Sequence, residues 1–387
     1  MMRRIALAAL AVSVVMPLAG CSSLSSSLEK VNPFSSPSGK PKMAELQAVS
    51  AKTSLQKRWQ AGVGSAGDSD FSPAALGGIV HAAGADGTIV RLEGGRELWR
   101  IKASQAITGG VGADAQHVAV GTMKGEVLVF DNAGKPLWKA QVSSEILAAP
   151  VFAGSVVIVR SGDNRINAFD VGSGKRVWTY QRPTPALSLR SSVGVTVAGT
   201  MAYVGFPGGK LVALSLANGA PVWEGTVALP KGTTELERMA DVTSEPAVDG
   251  RVVCAAAFQG RVACFDAGSG ELLWARDISS ARGVDLTRQY VYVSDDKGQV
   301  LAMDRDSGAS LWKQDKLFGR SLSRPLVVGD YVVVADVQGY VHLLKKDDGS
   351  FAGRQETDGS PVVVPPKLYE GGALIQTRNG NVYSFGM

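Results

Sequence analysis

What most limits the fold of this chain is a unit of about forty residues that recurs along nearly all of it. The clearest copy is Gln299-Val-Leu-Ala-Met-Asp304-Arg-Asp-Ser-Gly308-Ala-Ser-Leu-Trp312. Residues 300–303 are apolar and strand-like, 304–308 carry turn chemistry, and 310–312 alternate again. The stretch therefore reads as two short strands joined by a turn. Further copies end at Trp99, Trp138, Trp178, Trp223 and Trp274, each with a glycine four residues earlier: Gly95, Gly134, Gly174, Gly219 and Gly270. A unit with pattern for four strands must stack on its neighbours to bury its faces. This predicts an all-β fold, a β-propeller of four-stranded antiparallel blades.

The tight turn between the second and third strands of each unit counts the blades. It recurs as Asp86-Gly87, Lys124-Gly125, Asp163-Asn164, Gly208-Gly209, Gln259-Gly260, Lys297-Gly298, Gln338-Gly339 and Asn379-Gly380, so the propeller is expected to have eight blades. Pro73, Pro150, Pro246, Pro325 and Pro361 are expected to open innermost strands, where a first residue need not donate a hydrogen bond. The eighth unit stops one strand short at Phe385-Gly386-Met387, while residues 55–59, ending on Trp59, stand alone before the first unit. Pairing the two closes the ring and removes a free edge. Seven tryptophans then serve eight blades, and in the seventh unit Gly353 occupies the tryptophan slot, with Phe351 expected on the same strand face as its substitute. Recurrence in blade after blade marks the tryptophans as packing residues, each able to bury at most ~150–250 Å². Asp131, Asp170, Asp266 and Asp304 precede the third-to-fourth-strand turns, where Asx bonding to the backbone accounts for them.

Composition narrows the function. There are three cysteines and three histidines in 387 residues, a poor basis for metal or redox chemistry. The formal charge of +5 falls to +3 once Arg3 and Arg4 of the leader are set aside, and the basic residues are scattered, so nucleic acid is not an expected partner.

The leader has a basic start, an apolar run over residues 5–15, and then Leu18-Ala19-Gly20-Cys21. A run this short that ends in small residues reads as a cleaved signal and not as a membrane span. The last four residues resemble the bacterial lipobox. The resemblance implies cleavage before Cys21, lipid on that cysteine, and, with Ser22 following, delivery to the outer membrane. Residues 22–54 are rich in Ser, Pro, Lys and Gly and read as a tether, with a turn or two of helix possible over 43–55. The expected organisation is a signal peptide over 1–20, lipidated Cys21 and tether over 21–54, and the propeller over 55–387.

The repeat breaks in two places. Most tryptophan spacings are 38 to 40, but Trp178 to Trp223 is 45 and Trp223 to Trp274 is 51. The extra residues form loops over 179–190 and 224–244. Each joins an outer strand to the next inner strand and should emerge beside the X-Gly turns. Consecutive insertions of this kind are neighbours in space and form a candidate binding surface. Leu187 and Leu189 alternate with Ser188 and end on Arg190, while Asp241 in the second loop can meet a basic group on a partner. The alternative is that the leucines tuck under their own loop and Arg190 answers Glu235 or Glu237.

The units, with Ala302-Met-Asp304 and Gly308-x-x-x-Trp312 as the clearest copy, resemble the eight-bladed repeats of pyrroloquinoline-quinone dehydrogenases. Behind a lipobox they are more similar still to the lipoprotein subunits of the bacterial outer-membrane β-barrel assembly machine, over about residues 45–387. The most specific parts are Leu187-Ser-Leu-Arg190 and Thr234-Glu-Leu-Glu-Arg238-Met-Ala-Asp241-Val. The resemblance implies that these loops dock on a periplasmic POTRA domain of the large barrel subunit, through Leu187, Leu189, Arg190, Arg238 and Asp241. It also implies contact with the other assembly subunits and with unfolded outer-membrane proteins. Thr243 departs from the pattern, standing where relatives can carry a second acid.

A dehydrogenase of the quinone type needs adjacent cysteines, a calcium cluster and a base. This chain has no Cys-Cys pair, and His81, His117 and His342 lie in three separate units without metal-ligand spacing. Cys254 and Cys264 flank the Gln259-Gly260 turn, either as packed thiols or as a cross-strand disulfide; the reading here favours thiols. The expectation is a lipid-anchored scaffold at the periplasmic face of the outer membrane, with no catalytic residue, metal or cofactor. The rival is a periplasmic propeller that binds a peptide or glycan in its central channel.

Overall fold

The computed structural model describes residues 43–49 and 55–387. The signal peptide, Cys21 and most of the expected tether lie outside the described residues. The described strands form eight four-stranded antiparallel sheets, each with its strands in sequence order except the last. Blades 1 to 7 cover residues 74–102, 107–141, 151–180, 196–226, 247–276, 284–314 and 326–356. Blade 8 takes its three inner strands from Lys367–Tyr369, Gly372–Gln376 and Asn381–Gly386, and its outer strand from Gln56–Gly62 at the other end of the chain. Trp59 stands opposite Ser384 in that pairing, so the ring is closed by hydrogen bonds between the two ends of the fold.

Second and third strands are apolar and largely buried on both faces, as the second strands Val156–Arg160 and Val252–Ala256 are throughout and the third strands Ile166–Asp170 and Val262–Asp266 are over their first four residues. They read as continuous apolar runs because each blade is covered on both sides by its neighbours. One apolar cluster fills each blade boundary; between blades 5 and 6, for instance, it joins Cys254, Trp274, Val291 and Met303.

The tryptophans act across these boundaries. Trp223 of blade 4 lies over Gly270 of blade 5, where an added Cβ would come within 2.6 Å of the indole. Its N–H donates to Ala267 O at 2.9 Å. Trp99, Trp138, Trp178, Trp274 and Trp312 repeat the bond to the following blade. The recurring glycine and tryptophan are thus partners between units, not within one. Trp178 and Trp274 are buried, while the other five keep part of the ring exposed on the outer strand, so their burial falls short of the sequence-based upper bound.

This geometry explains the missing eighth tryptophan. Gly353 stands opposite Leu343 as Trp312 stands opposite Ala302. The blade that follows has its outer strand supplied from residues 56–62, so it has no third-to-fourth-strand turn and no turn glycine to cover. Phe351 is not the substitute expected from sequence. A bulge between Leu343 and Leu344 shifts the register, and Phe351 packs back toward Tyr292 and Trp312 of blade 6. A second correction concerns Pro361: the inner strand of blade 8 starts at Lys367, directly after Pro366. The other four prolines immediately precede their inner strands.

Residues 43–49 form no helix and lie along blade 7. Ala44 N–H donates to Phe318 O at 2.9 Å, Arg320 reaches Ala44 O at 3.1 Å, and Arg354 reaches Gln47 O at 2.7 Å. Arg320 and Asp336 are fully buried beneath this segment and pair at 2.5 Å, with His342 on the same carboxylate at 3.0 Å. The compact unit therefore begins at Met43, inside the stretch expected to be tether.

Candidate functional site

The fourth strands of blades 3 and 4 end at Tyr180 and Thr226, and the next blades begin at Thr196 and Ala247. The intervening residues carry no strand or α-helix. Pro183, Pro185 and Pro230 withhold backbone donors there and restrict the residues before them. The backbone polar groups must then find other partners, and Asp241 supplies them.

Asp241 is 2% exposed. One carboxylate oxygen accepts Leu189 N–H at 2.7 Å, and the other accepts Gly208 N–H at 2.9 Å. Its carbonyl accepts Phe258 N–H at 2.8 Å. A single residue thus ties the first long loop, the X-Gly turn of blade 4, the second long loop and the turn of blade 5. Charge-assisted bonds of this kind are roughly twice as strong as neutral ones. The loops are neighbours beside the X-Gly turns, as their spacing suggested, but Asp241 is a positioning residue. The expectation that it meets a basic group on a partner is corrected: both oxygens are engaged inside the fold.

The other predicted residues face outward to different degrees. Leu187 is 39% exposed and Leu189 is half-buried. Arg190 is exposed and answers neither Glu235 nor Glu237; its Nε lies 3.4 Å from Glu145 in the connection between blades 2 and 3. The Ser144 hydroxyl first, and Arg190 in addition, hold the Glu145 carboxyl below the usual range. Glu237 instead caps its own turn, accepting Thr233 and Thr234 N–H groups at 2.8 and 3.1 Å, which leaves Arg238 exposed at the end of that turn.

Three residues of this face were missed in the sequence. Leu229 and Leu236 are 60% and 64% exposed, and Met123, at the X-Gly turn of blade 2, places its sulfur 3.7 Å from Arg190. The signal was available for the leucines, which are apolar residues in an otherwise polar insertion. Met123 lies in another unit, and nothing local to it marks the site.

Elsewhere the residue chemistry is structural. Cys254 and Cys264 stand directly opposite on adjacent strands and form a disulfide, contrary to the preference for free thiols. Their Cα atoms are 4.1 Å apart, the close spacing of a non-hydrogen-bonded antiparallel pair. Burial and Arg91 pull the His81 pKa down to about 4. His117 sits 3.1 Å from Asp114, and His342 is enclosed with Asp336. Among the described residues no group of three His, Cys, Asp or Glu side chains is placed to hold a metal. The central channel holds a cavity of about 440 Å³ lined in part by Asp70, Ser244, Glu245, Arg282, Arg324 and Lys367. Its charges are largely answered, with Arg324 and Lys367 each 3.8 Å from Glu245 and Arg378 3.6 Å from Asp70.

The family model described as outer membrane protein assembly factor BamB matches residues 85–314. The outer membrane protein assembly factor BamB of Bordetella pertussis is 40% identical over 371 residues, covering 95% of this chain and 94% of that one. The same factor of Burkholderia pseudomallei is 42% identical over 334 residues, covering 86% and 88%. The crystal structure of BamB from Moraxella catarrhalis shares the fold with a TM-score of 0.80 at 28% identity, covering 86% of this chain and all of that one.

Proposed function

Because the chain belongs to the BamB family of outer membrane protein assembly factors, we propose that it docks through its two long loops on a periplasmic POTRA domain of the barrel subunit. Its role in the family is that of a non-enzymatic scaffold in outer-membrane protein assembly. The observation that carries the docking reading is the Asp241 clamp, which holds two irregular loops side by side, the first presenting exposed Leu187 and Arg190 and the second exposed Leu229 and Leu236. Large exposed apolar side chains mark an interaction surface, and arginine is among the residues that dominate binding hot spots.

Contact goes through side chains and not through an added strand at Leu189, whose N–H is already engaged by Asp241. Leu187 and Leu189 act as anchors, and Arg190 and Arg238 set register. Lipid on Cys21 keeps the scaffold at the periplasmic face of the outer membrane, where it also meets the other assembly subunits and unfolded outer-membrane proteins. The test is co-purification of the barrel subunit from detergent-solubilised envelopes with Leu187→Asp and Leu189→Asp variants that retain their melting temperature. Loss of the subunit supports the reading, and undiminished recovery overturns it.

A second reading rests on the channel cavity, where the buried Ser244 hydroxyl has no partner among the described residues and a peptide or glycan can enter. Substitutions in the channel that leave co-purification intact but abolish growth of a strain dependent on this protein favour it.

A further inference from the structure

Arg160 ends the second strand of blade 3 and is 7% exposed. Its Nη1 donates to Gly205 O at 2.7 Å and its Nη2 to Asn164 Oδ1 at 2.6 Å, both neutral acceptors. The guanidinium lies over the Phe206 ring, 5.3 Å from its centroid. Among the described residues no carboxylate pairs with it, and burial alone pulls its pKa down to about 10. A buried guanidinium without a counter-charge is costly to the folded state.

The same side chain lines a cavity of about 150 Å³ that opens under the first docking loop. Ser161, Asn164, Ser188, Leu189, Arg190 and Ser191 share the lining, so two cations and four small polar side chains surround it, and no carboxylate is among its lining residues. The acids next to the lining are already engaged: Glu145 with Arg190, Asp163 with Ser161 and Arg165, and Asp241 with the Leu189 and Gly208 N–H groups. The volume is enough for one short side chain. A planar guanidinium fork matches a carboxylate in geometry as well as charge.

We propose that this cavity receives one aspartate or glutamate side chain of the protein docked on the two loops, its carboxylate completing the charge of Arg160. The inference rests on the docking reading above and adds the partner chemistry of that surface. Leu189 forms one wall of the cavity, so an acid entering here lies directly beside the apolar anchor, and this position favours a protein side chain over a free anion.

The experiment measures affinity between the full-length chain in detergent and the purified barrel subunit. Each Asp and Glu of the POTRA region is changed in turn to its amide and tested against the wild-type chain and Arg160→Met. The expected result is that Arg160→Met weakens binding about tenfold or more, as for a truncated interfacial charge pair. One partner acid should show a similar loss against the wild type and almost none against Arg160→Met. Ser188→Asp, on the exposed loop, supplies the carboxylate from within the chain. It should raise the melting temperature while weakening binding about tenfold, and Ser188→Asn should do neither. A wild-type chain that fails to bind the barrel subunit overturns the docking reading and this inference together. A wild-type complex in which no partner acid couples to Arg160, or in which Ser188→Asp binds like Ser188→Asn, overturns this inference alone.

Discussion

The Asp241 carboxylate accepts the Leu189 N–H at 2.7 Å across 52 positions of sequence, joining two loops that belong to different blades. Its second oxygen holds Gly208, so the residue faces two donors at once. Asp241→Asn is therefore not conservative, because an amide presents one N–H group to a donor whichever way it is turned. The expected loss is about 1–3 kcal/mol of stability, together with weakened capture of the barrel subunit. Thermal melting and co-purification on the same preparation check both.

The tryptophan and glycine pairs set the blade spacing. Gly270 has φ +76° with the Trp223 indole within 2.6 Å of where a Cβ would stand, whereas Gly250 in the same blade has φ +59° with open space around it. Gly250→Ala should cost about 1–2 kcal/mol through left-handed backbone alone. Gly270→Ala should cost at least ~3 kcal/mol, since the ring must also move. Urea melts of the two variants decide it, and equal losses would remove the packing role of the pair.

Stability should fall as acid approaches the His81 pKa. Its folded value is about 4, below the ordinary 6.5, because burial first and Arg91 second disfavour the charged ring. The unfolded chain therefore binds more protons between those values. The contribution of the neutral ring is complete above pH 6.5 and is lost as pH falls toward 4. The effect is on the order of 3 kcal/mol. The difference in unfolding free energy between wild type and His81→Gln, measured across that window, should narrow as pH falls, and a difference constant with pH would contradict the assignment.

The Cys254–Cys264 disulfide closes a short loop inside blade 5. The double substitution to alanine should lower stability by about 2–3 kcal/mol without changing capture of the barrel subunit. Intact mass of the unreduced chain should be lighter than that of the reduced chain by two hydrogens. Thiol reagents should label neither residue even in the unfolded chain until the disulfide has been reduced.

Much of the fold was legible because one local code is written eight times. The X-Gly turns count the blades, the β-branched runs mark strands covered on both faces, and the orphan strand at Trp59 announces the closure with Ser384. Phe351 was misjudged because a bulge changes side-chain direction without leaving a mark in composition. Pro361 was misjudged because three prolines lie close together and only Pro366 adjoins the strand. The insertions located the candidate surface, since excess length is visible in spacing. The role of Asp241 was not visible, because a carboxylate in a loop reads alike whether it faces water or two backbone donors. Arg160 sat in a strand and offered no signal until its burial without an acid could be seen.

Arg190 bears most directly on the proposed docking surface, being exposed beside Leu187 and Leu189 and tied to the fold through a surface ion pair with Glu145 and a contact with the Met123 sulfur. A pair so exposed contributes little to stability. Arg190→Glu in the full-length chain should therefore keep its melting temperature, while recovery of the barrel subunit from solubilised envelopes drops about tenfold or more. Recovery equal to wild type by a folded Arg190→Glu chain would contradict docking at these loops.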